Sequence, residues 1–176
     1  GITVDQTEGG AQVRAGDGSI DVVQPTDRSG VARQFDIARA LPEAFILDVE
    51  FSVLPYGAQA GVFEFQFSLR DGPLYGTNSQ LRYNSQRDAV VISYWDGREP
   101  MEMGEWVKVP SERKRISVRF DRGRYSLYVD DYLRAAYKSE VTTRSAPINF
   151  LVVSGPAVVR LHRVHIYELP PAALGL

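Results

Sequence analysis

Residues 115–137 constrain the fold more than any other part of the chain, because they predict three strands joined by two tight turns. Apolar and polar residues alternate on both sides of a short loop at 121–124, in which Gly123 can supply a positive φ. A second reversal is predicted at Asp130 and Asp131, since aspartate tolerates the left-handed backbone region better than most residues. An antiparallel meander of this kind predicts a β-sheet protein.

The same region resembles the core of the concanavalin A-like lectin/glucanase domains, a superfamily that includes laminin G-like modules. The resemblance is carried by Trp106 in the sequence WVKV, by the strand ISVRF at 116–120 and by RYSLYVDD at 124–131. Asp131 departs from the family pattern, in which the turn usually ends in glycine. Extended loosely over residues 45–169, the resemblance implies an all-β, antiparallel two-sheet jelly-roll sandwich. It also implies an extracytoplasmic location, periplasmic or secreted, for a fold that serves many unrelated functions.

Two further stretches show the period of two that marks a strand with one buried face. In residues 45–53 every odd position is apolar, and we expect these side chains to face the core. Residues 62–70 repeat the pattern with three phenylalanines and a leucine, each worth roughly 1.5 to 3 kcal/mol on burial. Other elements are strands at 19–24, 31–38, 80–84, 89–95, 148–154 and 158–169, a hairpin turn at 85–88, an irregular loop at 98–105 and one helical turn at 38–42.

The length of 176 residues is sufficient for one domain with a single core. We divide the chain into a loosely structured N-terminal segment with an edge strand at 1–18, a β-sandwich domain at 19–169 and a tail at 170–176. The tail is predicted to be a docking segment or a truncated linker. A leader removed before residue 1 is compatible with a chain that begins at glycine.

The composition excludes several classes of function. Hydrophobic residues make up 44% and charged residues 24%, a balance typical of globular proteins rather than of disordered or membrane-embedded chains. With 20 Lys and Arg against 22 Asp and Glu, no excess of positive charge would attract nucleic acid or an acidic membrane. No run of about 20 apolar residues is present to form a transmembrane segment. The absence of cysteine excludes disulfides and thiolate chemistry.

Three carboxylates, those of Asp48, Glu50 and Glu64, are the candidates for catalysis. Glycoside hydrolases use paired carboxylates as acid and as nucleophile or base, and residues two apart on a strand share a face. In the glucanase branch of the resembled superfamily the carboxylates form a denser run, Glu-x-Asp-x-Glu or Glu-x-Asp-x-x-Glu, of which residues 47–51 supply a fragment. We therefore favour alternating charge on a solvated strand face and keep Glu50 and Glu64 as the alternative catalytic residues.

A polar face is the second candidate site. The non-core residues of three strands, which we expect to be neighbours, combine polar side chains with an aromatic ring. Such a face suits a sugar, since a flat ring stacks on a pyranose while amide and guanidinium groups bind its hydroxyls. The alternative is an ordinary hydrated sheet face with Trp95 packed beneath the loop at 98–105. The predicted ligand-binding residues are Glu64, Gln66, Arg70, Arg82, Asn84 and Trp95, with Ser68 and Ser93 on the same face.

Metal and nucleotide chemistry find little support. His162 and His165 are three apart, so that a regular strand points them to opposite faces, and no third ligand is evident. Neither a phosphate-binding glycine loop nor a serine elbow is present. No cofactor is predicted, although the resemblance implies that calcium could bind to loop carboxylates. The turn aspartates that would supply them are Asp71, Asp88, Asp96 and Asp121, and turn propensity alone also accounts for these residues.

Three hypotheses of function follow. The first is a non-catalytic recognition module, glycan-binding or adhesive, because the fold resemblance is present whereas the catalytic run is absent. The second is a carbohydrate-active enzyme that uses Glu50 or Glu64 as acid or base. The third is a structural accessory subunit that meets an assembly partner through its N- and C-terminal segments. The expected partner is therefore a carbohydrate or another protein, not nucleic acid.

Overall fold

The computed structural model describes residues 4–8, 12–24, 29–35, 44–54, 64–71, 78–95, 98–121, 123–138, 150–154 and 156–170. These residues form strands and turns, and none of them belongs to a helix that could cross a membrane. The strands are β1 Val4–Glu8, β2 Gln12–Gly16, β3 Ser19–Gln24, β4 Ser29–Phe35, β5 Phe45–Leu54, β6 Glu64–Asp71, β7 Asn78–Asn84, β8 Ala89–Trp95, β9 Pro100–Glu102, β10 Val107–Lys108, β11 Arg113–Asp121, β12 Arg124–Val129, β13 Tyr132–Lys138, β14 Phe150–Ser154 and β15 Ala157–Glu168. For β1, β4, β6 and β14 the description covers the backbone and its pairing.

The described strands form two antiparallel sheets that share one core. Sheet A has the order β1-β4-β14-β6-β7-β8-β10, and β9 also pairs with β8. Sheet B has the order β13-β12-β11-β5-β15-β3-β2. Strands that are neighbours in space are often distant in sequence, as with β5 between β11 and β15, which is typical of a jelly roll. The predicted all-β, two-sheet sandwich is confirmed.

The core lies between the two sheets, with β5 in the middle of sheet B. Phe45, Leu47, Val49 and Phe51 of this strand are fully buried, which confirms the predicted core face. Phe51 meets Tyr83 of sheet A edge to face, with ring centroids 5.4 Å apart, and so joins the two layers. In each sheet we call the face that points away from this core the outer face. The core-facing residues of β7 and β8 are Leu81, Tyr83, Val90 and Ile92.

The two turns of the meander have the predicted backbone conformations. Gly123 has a φ of 74°, and Asp130 and Asp131 have φ values of 49° and 66°. Positive φ at both central residues is the requirement of a two-residue type I′ hairpin, in which asparagine and glycine are the usual residues. Here both aspartate side chains are bonded: Asp131 accepts from the Arg115 guanidinium at 2.8 Å, and Asp130 from the Ser111 hydroxyl at 3.2 Å. These bonds account for aspartate in a turn that glycine would form with less strain.

The segment predicted as an irregular loop at 98–105 contains a strand, so this prediction is wrong for β9. Pro100 and Glu102 pair with Trp95 and Ser93 of β8. The other half of β8 pairs with β10, so two short strands divide one sheet edge. Proline is tolerated there because it begins the strand and need not donate to the ladder.

The N-terminal segment contributes to both sheets in the part of the chain that the structure describes. The N-terminal segment at 1–18 supplies β1 to an edge of sheet A and β2 to an edge of sheet B. Residues 171–176 of the predicted tail lie outside the described residues. The helical turn predicted at 38–42, the side chains of the strand predicted at 62–70 and Asp96 also lie outside them.

Candidate functional site

The predicted polar face corresponds to the outer face of sheet A, where β6, β7 and β8 are adjacent. The register places Glu64 opposite Asn84 and Gln66 opposite Arg82. Arg82 and Asn84 alternate with the core-facing residues of β7 and therefore lie on the outer face. The side chains of Glu64 and Gln66 are outside the described part of the chain, so their contribution to binding stays a prediction.

A register shift in β6 separates one predicted binding residue from the others. Ser68 pairs with Gln80, whereas Arg70 pairs with Ser79. A one-residue offset in the pairing reverses the alternation of faces along a strand. Arg70 therefore does not continue the row of residues to which Ser68 belongs. The alternation of the sequence carries no sign of this shift. The side chains of Arg70 and Trp95 lie outside the described residues.

The outer face of sheet A buries polar atoms that lack partners among the described residues. Gln80 and Ser93 are opposite each other on β7 and β8 and are 2% and 0% exposed. Within the described part of the chain, Gln80 Oε1 and Ser93 Oγ have no hydrogen-bonding partner. A buried polar group left unpaired destabilises a protein by about 1 to 3 kcal/mol, and because neither side chain is open to solvent, these atoms are not direct contacts for a ligand. Ser93 was predicted on this face. Gln80 was missed, although it lies two positions before Arg82.

Trp106, just before β10, lies beside these strands and is partly exposed. Its Nε1 donates a hydrogen bond to Glu102 Oε1 at 2.7 Å. The guanidinium carbons of Arg82 and Arg87 are 5.5 Å and 5.1 Å from the ring centroid, within the range of a cation–π contact. Arg82 is buried, whereas Arg87, in the turn between β7 and β8, is exposed. Trp106 was predicted only as a marker of the fold, and Arg87 and Glu102 were not predicted, because sheet pairing alone brings these segments together.

The hairpin that carries Arg87 is anchored by a buried lysine. Lys114 Nζ lies 2.7 Å from Asp88 Oδ1, and it also donates to the carbonyl oxygens of Val109 and Ser111 at 2.7 Å and 2.8 Å. Tyr83 donates its hydroxyl to the same carboxylate oxygen at 2.8 Å. Asp88 itself closes the turn with a φ of 45°. These contacts join β7, β11 and the segment that follows β10.

The electrostatics of this anchor favour an ionised aspartate. Burial acts to raise the pKa of Asp88, but the hydrogen bonds from Lys114 and Tyr83 and the positive charges of Lys114 and Lys108 outweigh it. The pKa of Asp88 therefore lies below its ordinary value of 3.8. Burial and the hydrogen bond to Asp88 raise the pKa of Tyr83, which keeps its hydroxyl protonated as the donor.

A close packing contact holds the segment that carries Trp106. A Cβ added to Gly104 would lie 2.2 Å from Cε1 and 2.7 Å from Cδ1 of Tyr137, so glycine is required for this approach. Tyr137 comes from β13 in sheet B and is 5% exposed, and its hydroxyl donates to the carbonyl oxygen of Glu105 at 3.3 Å. Burial raises the pKa of Tyr137 to about 12. The edge of one sheet thus supports the candidate site on the other.

Replacing Gly104 with alanine is expected to lower the free energy of unfolding by about 1 to 3 kcal/mol, because the new methyl group displaces a packed ring. Urea denaturation measures the change. The control is Gly16→Ala, where the nearest atom to the added Cβ is the Ser19 hydroxyl oxygen at 3.3 Å and the site is exposed. Equal losses in the two variants would contradict a specific contact between Gly104 and Tyr137.

The first catalytic candidate lies on the outer face of sheet B and is not solvated. Asp48 is 5% exposed. Its carboxylate accepts a hydrogen bond from the Ser117 hydroxyl at 2.9 Å, is bonded by the Arg163 guanidinium and has the Arg115 guanidinium 3.9 Å away. The favoured prediction of a solvated strand face is therefore wrong for Asp48. The reason is that β5 lies between β11 and β15, whose long side chains cover it.

The other two carboxylates are on different sheets. Glu50 lies on the outer face of sheet B, where its carboxylate forms an ion pair with Arg113. Glu64 belongs to β6 in sheet A. The interior of the sandwich separates these two strands, so the structure does not bring Glu50 and Glu64 together.

The two histidines share one face, contrary to the prediction from their spacing. A β-bulge at His162 shifts the register of β15 against β5. The bulge inserts one residue, so His165 comes opposite Asp48 on the outer face of sheet B. His162 Nε2 lies 2.9 Å from Ser52 Oγ on the same face. Burial, together with a neighbouring guanidinium, lowers the pKa of His162.

The turn aspartates do not converge in the part of the chain that the structure describes. Asp88 is bonded as described above, and Asp121 forms an ion pair with Arg119 at 3.3 Å. Among the described residues, no group of three His, Cys, Asp or Glu side chains is placed to hold a metal ion. Asp96 and the side chain of Asp71 are outside that part, so calcium binding by them stays a prediction.

Comparison with solved structures shows that this fold occurs in carbohydrate-binding proteins. The carbohydrate-binding module CBM66 from Bacillus subtilis matches with a TM-score of 0.68 at 12% identity, over 95% of this chain and 97% of that one. The exoplasmic/lumenal domain of VIP36, in its Ca²⁺/Man3GlcNAc-bound form, matches with a TM-score of 0.63 at 10% identity, over 96% and 85%. A β-glucanase from Bacillus licheniformis matches with a TM-score of 0.59 at 10% identity, over 96% and 97%. The fold is therefore the concanavalin A-like lectin/glucanase fold. No protein-family model and no curated protein matches the sequence.

Proposed function

We propose that this protein is a non-catalytic carbohydrate-recognition module, glycan-binding or adhesive, whose site is the outer face of sheet A beside Trp106. The observation that carries the proposal is the partly exposed ring of Trp106 beside that face, with the exposed Arg87 guanidinium 5.1 Å from its centroid. Saccharide hydroxyls accept hydrogen bonds, so a bound glycan can pair with the guanidinium N–H donors of Arg87. Strands β6, β7 and β8 of this face also carry the other predicted binding residues, Glu64, Gln66, Arg70, Asn84 and Trp95.

The fold supports this proposal by analogy. CBM66 is a carbohydrate-binding module, and the VIP36 domain is solved with a mannose-containing oligosaccharide. One fold serves many functions, so the site is the main evidence for glycan binding and the fold supports it. By the same analogy we propose an extracytoplasmic location, since the VIP36 domain is exoplasmic or lumenal.

Hydrolysis is the alternative, because a β-glucanase shares the fold. Glycoside hydrolases hold two carboxylates about 5 to 10 Å apart across the scissile bond. Here Glu50 and Glu64 lie on different sheets, and Asp48, which shares a face with Glu50, is covered by arginine side chains. This arrangement favours recognition over catalysis. If Glu50 or Glu64 were catalytic, Glu50→Gln or Glu64→Gln would abolish turnover of a polysaccharide that the variant still binds.

Replacing Trp106 with alanine is expected to weaken glycan binding at least about tenfold, since the ring forms one side of the site and holds two guanidinium groups. Trp95→Ala is expected to weaken it by roughly 1 to 3 kcal/mol if that ring stacks on a sugar. A glycan array identifies the ligand, and titration calorimetry measures the affinities. Tyr167→Ala, which removes an exposed ring from the outer face of sheet B, and Glu50→Gln are the controls and should leave affinity unchanged. A wild-type protein that binds no glycan would contradict the proposal and favour a structural accessory subunit.

A further inference from the structure

The contacts of Trp106 restrict the kind of saccharide that suits the site. Two guanidinium groups, those of Arg82 and Arg87, lie against its ring at 5.5 Å and 5.1 Å. A neutral pyranose that stacked on the ring would have to compete with these cations. Because Arg82 is buried and Arg87 is exposed, the recognition groups that this arrangement presents to solvent are the guanidinium N–H donors of Arg87, supported by the ring.

Arg87 is held in place through its main chain, and among the described residues no carboxylate pairs with its guanidinium. Its main-chain N–H donates to Asn84 Oδ1 at 2.9 Å, and its carbonyl oxygen accepts a hydrogen bond from Lys108 Nζ. In the described part of the chain no carboxylate forms an ion pair with its guanidinium, and the side chain is exposed. A guanidinium pairs with a carboxylate or sulfate through two parallel N–H donors, and a preorganised one loses less conformational entropy on binding.

We infer that the site takes an anionic saccharide, whose carboxylate or sulfate group binds the exposed guanidinium of Arg87 beside the partly exposed ring of Trp106. This inference rests on the proposed function and names the class of its ligand. The net charge of the whole chain is −2, so long-range attraction does not draw polyanions to the protein. The attraction is local to the exposed Arg87 and Lys108, and it is opposed by the exposed carboxylates of Glu102 and Glu105 on the adjoining segment.

The test compares the intact chain with three probes: oligogalacturonate, which carries carboxylates, dextran sulfate, and neutral dextran. Wild-type protein is expected to bind at least one of the two anionic probes about tenfold or more tighter than neutral dextran, and raising the ionic strength should weaken that binding. Arg87→Gln, which removes the charge and the paired guanidinium donors while keeping a polar amide, should weaken it about tenfold. The matched control is Arg134→Gln, because Arg134 is also exposed and lies 5.6 Å from the ring centroid of Tyr132 on the other sheet.

The possible outcomes distinguish the anionic class of ligand from carbohydrate recognition itself. Equal affinity for neutral and anionic saccharides, unchanged in Arg87→Gln, would overturn the anionic class and leave carbohydrate recognition standing. Equal losses in Arg87→Gln and Arg134→Gln would also overturn it, since they would indicate non-specific charge attraction. Failure to bind any saccharide on the array or among the probes would overturn the proposed function as well. Selective loss in Arg87→Gln supports the inference, and the preferred anionic probe identifies the anionic group.

Discussion

Replacing Phe51 with alanine is expected to lower the free energy of unfolding by about 3 to 5 kcal/mol, the range for truncating a buried phenylalanine. Phe51 is 0% exposed in the central strand of sheet B, and its ring meets Tyr83 of sheet A at 5.4 Å. The substitution removes contacts that join the two layers and leaves a cavity between them. Domains of this size are typically stable by about 5 to 15 kcal/mol, so the loss is a large share of the total.

Urea denaturation followed by circular dichroism measures this loss, and Tyr132→Ala is the matched control. Tyr132 is also an aromatic residue of sheet B. It stands at the start of β13 and is 68% exposed. Its removal should change stability by less than about 0.5 kcal/mol. If both variants lost the same stability, the assignment of Phe51 to the core would be wrong.

Replacing Lys114 with methionine is expected to destabilise the protein by about 2 to 3 kcal/mol, the range for losing hydrogen bonds to a charged group in a buried site. Methionine keeps most of the side-chain volume, so the loss reports the bonds to Asp88 and to the carbonyl oxygens of Val109 and Ser111. Lys138→Met on the exposed edge strand β13 is the control and should have almost no effect. A similar loss of stability in both variants would contradict the role of Lys114 as a buried anchor.

The same anchor predicts a pH dependence of stability. The pKa of Asp88 is below its ordinary value of 3.8 in the folded protein, so the folded state stabilises the ionised carboxylate more than the unfolded chain does. This contribution is fully present above pH 3.8 and is lost as the pH falls through the lower, folded pKa. Asp88→Asn keeps a residue that tolerates the positive φ of the turn and removes the titration. Its stability should fall less steeply in acid than that of the wild type, and parallel curves below pH 4 would contradict the prediction.

Local sequence patterns determined the fold class and much of the core. Alternation over residues 45–53 and 115–137 identified buried faces in sheet B, because the period of two is a property of the strand itself. The turns at Gly123 and at Asp130 and Asp131 were equally local, since each depends on which residues tolerate positive φ. The resemblance that these residues carry led to the concanavalin A-like sandwich.

Strand alternation became unreliable wherever a bulge inserted one residue. The bulge at His162 brings His165 to the face that counting by two had excluded, and the register shift before Arg70 interrupts the predicted binding row. Both irregularities arise in the pairing between strands, and a single strand carries no record of its partner's register. Asp48 was predicted to be solvated for a related reason, because burial on an outer face depends on which strands lie on either side.

The sequence by itself determined which residues alternate, where the chain turns and therefore that two β-layers enclose a core. The tertiary structure alone decided that Trp106 meets Arg82 and Arg87, that Gln80 and Ser93 are buried opposite each other, and that Tyr137 supports Gly104 from the other sheet. The physical reason is the range of the interactions. Periodicity and turn propensity act between residues a few positions apart, whereas the candidate site assembles side chains from β7, its turn, β8 and the segment before β10, which only sheet pairing brings together.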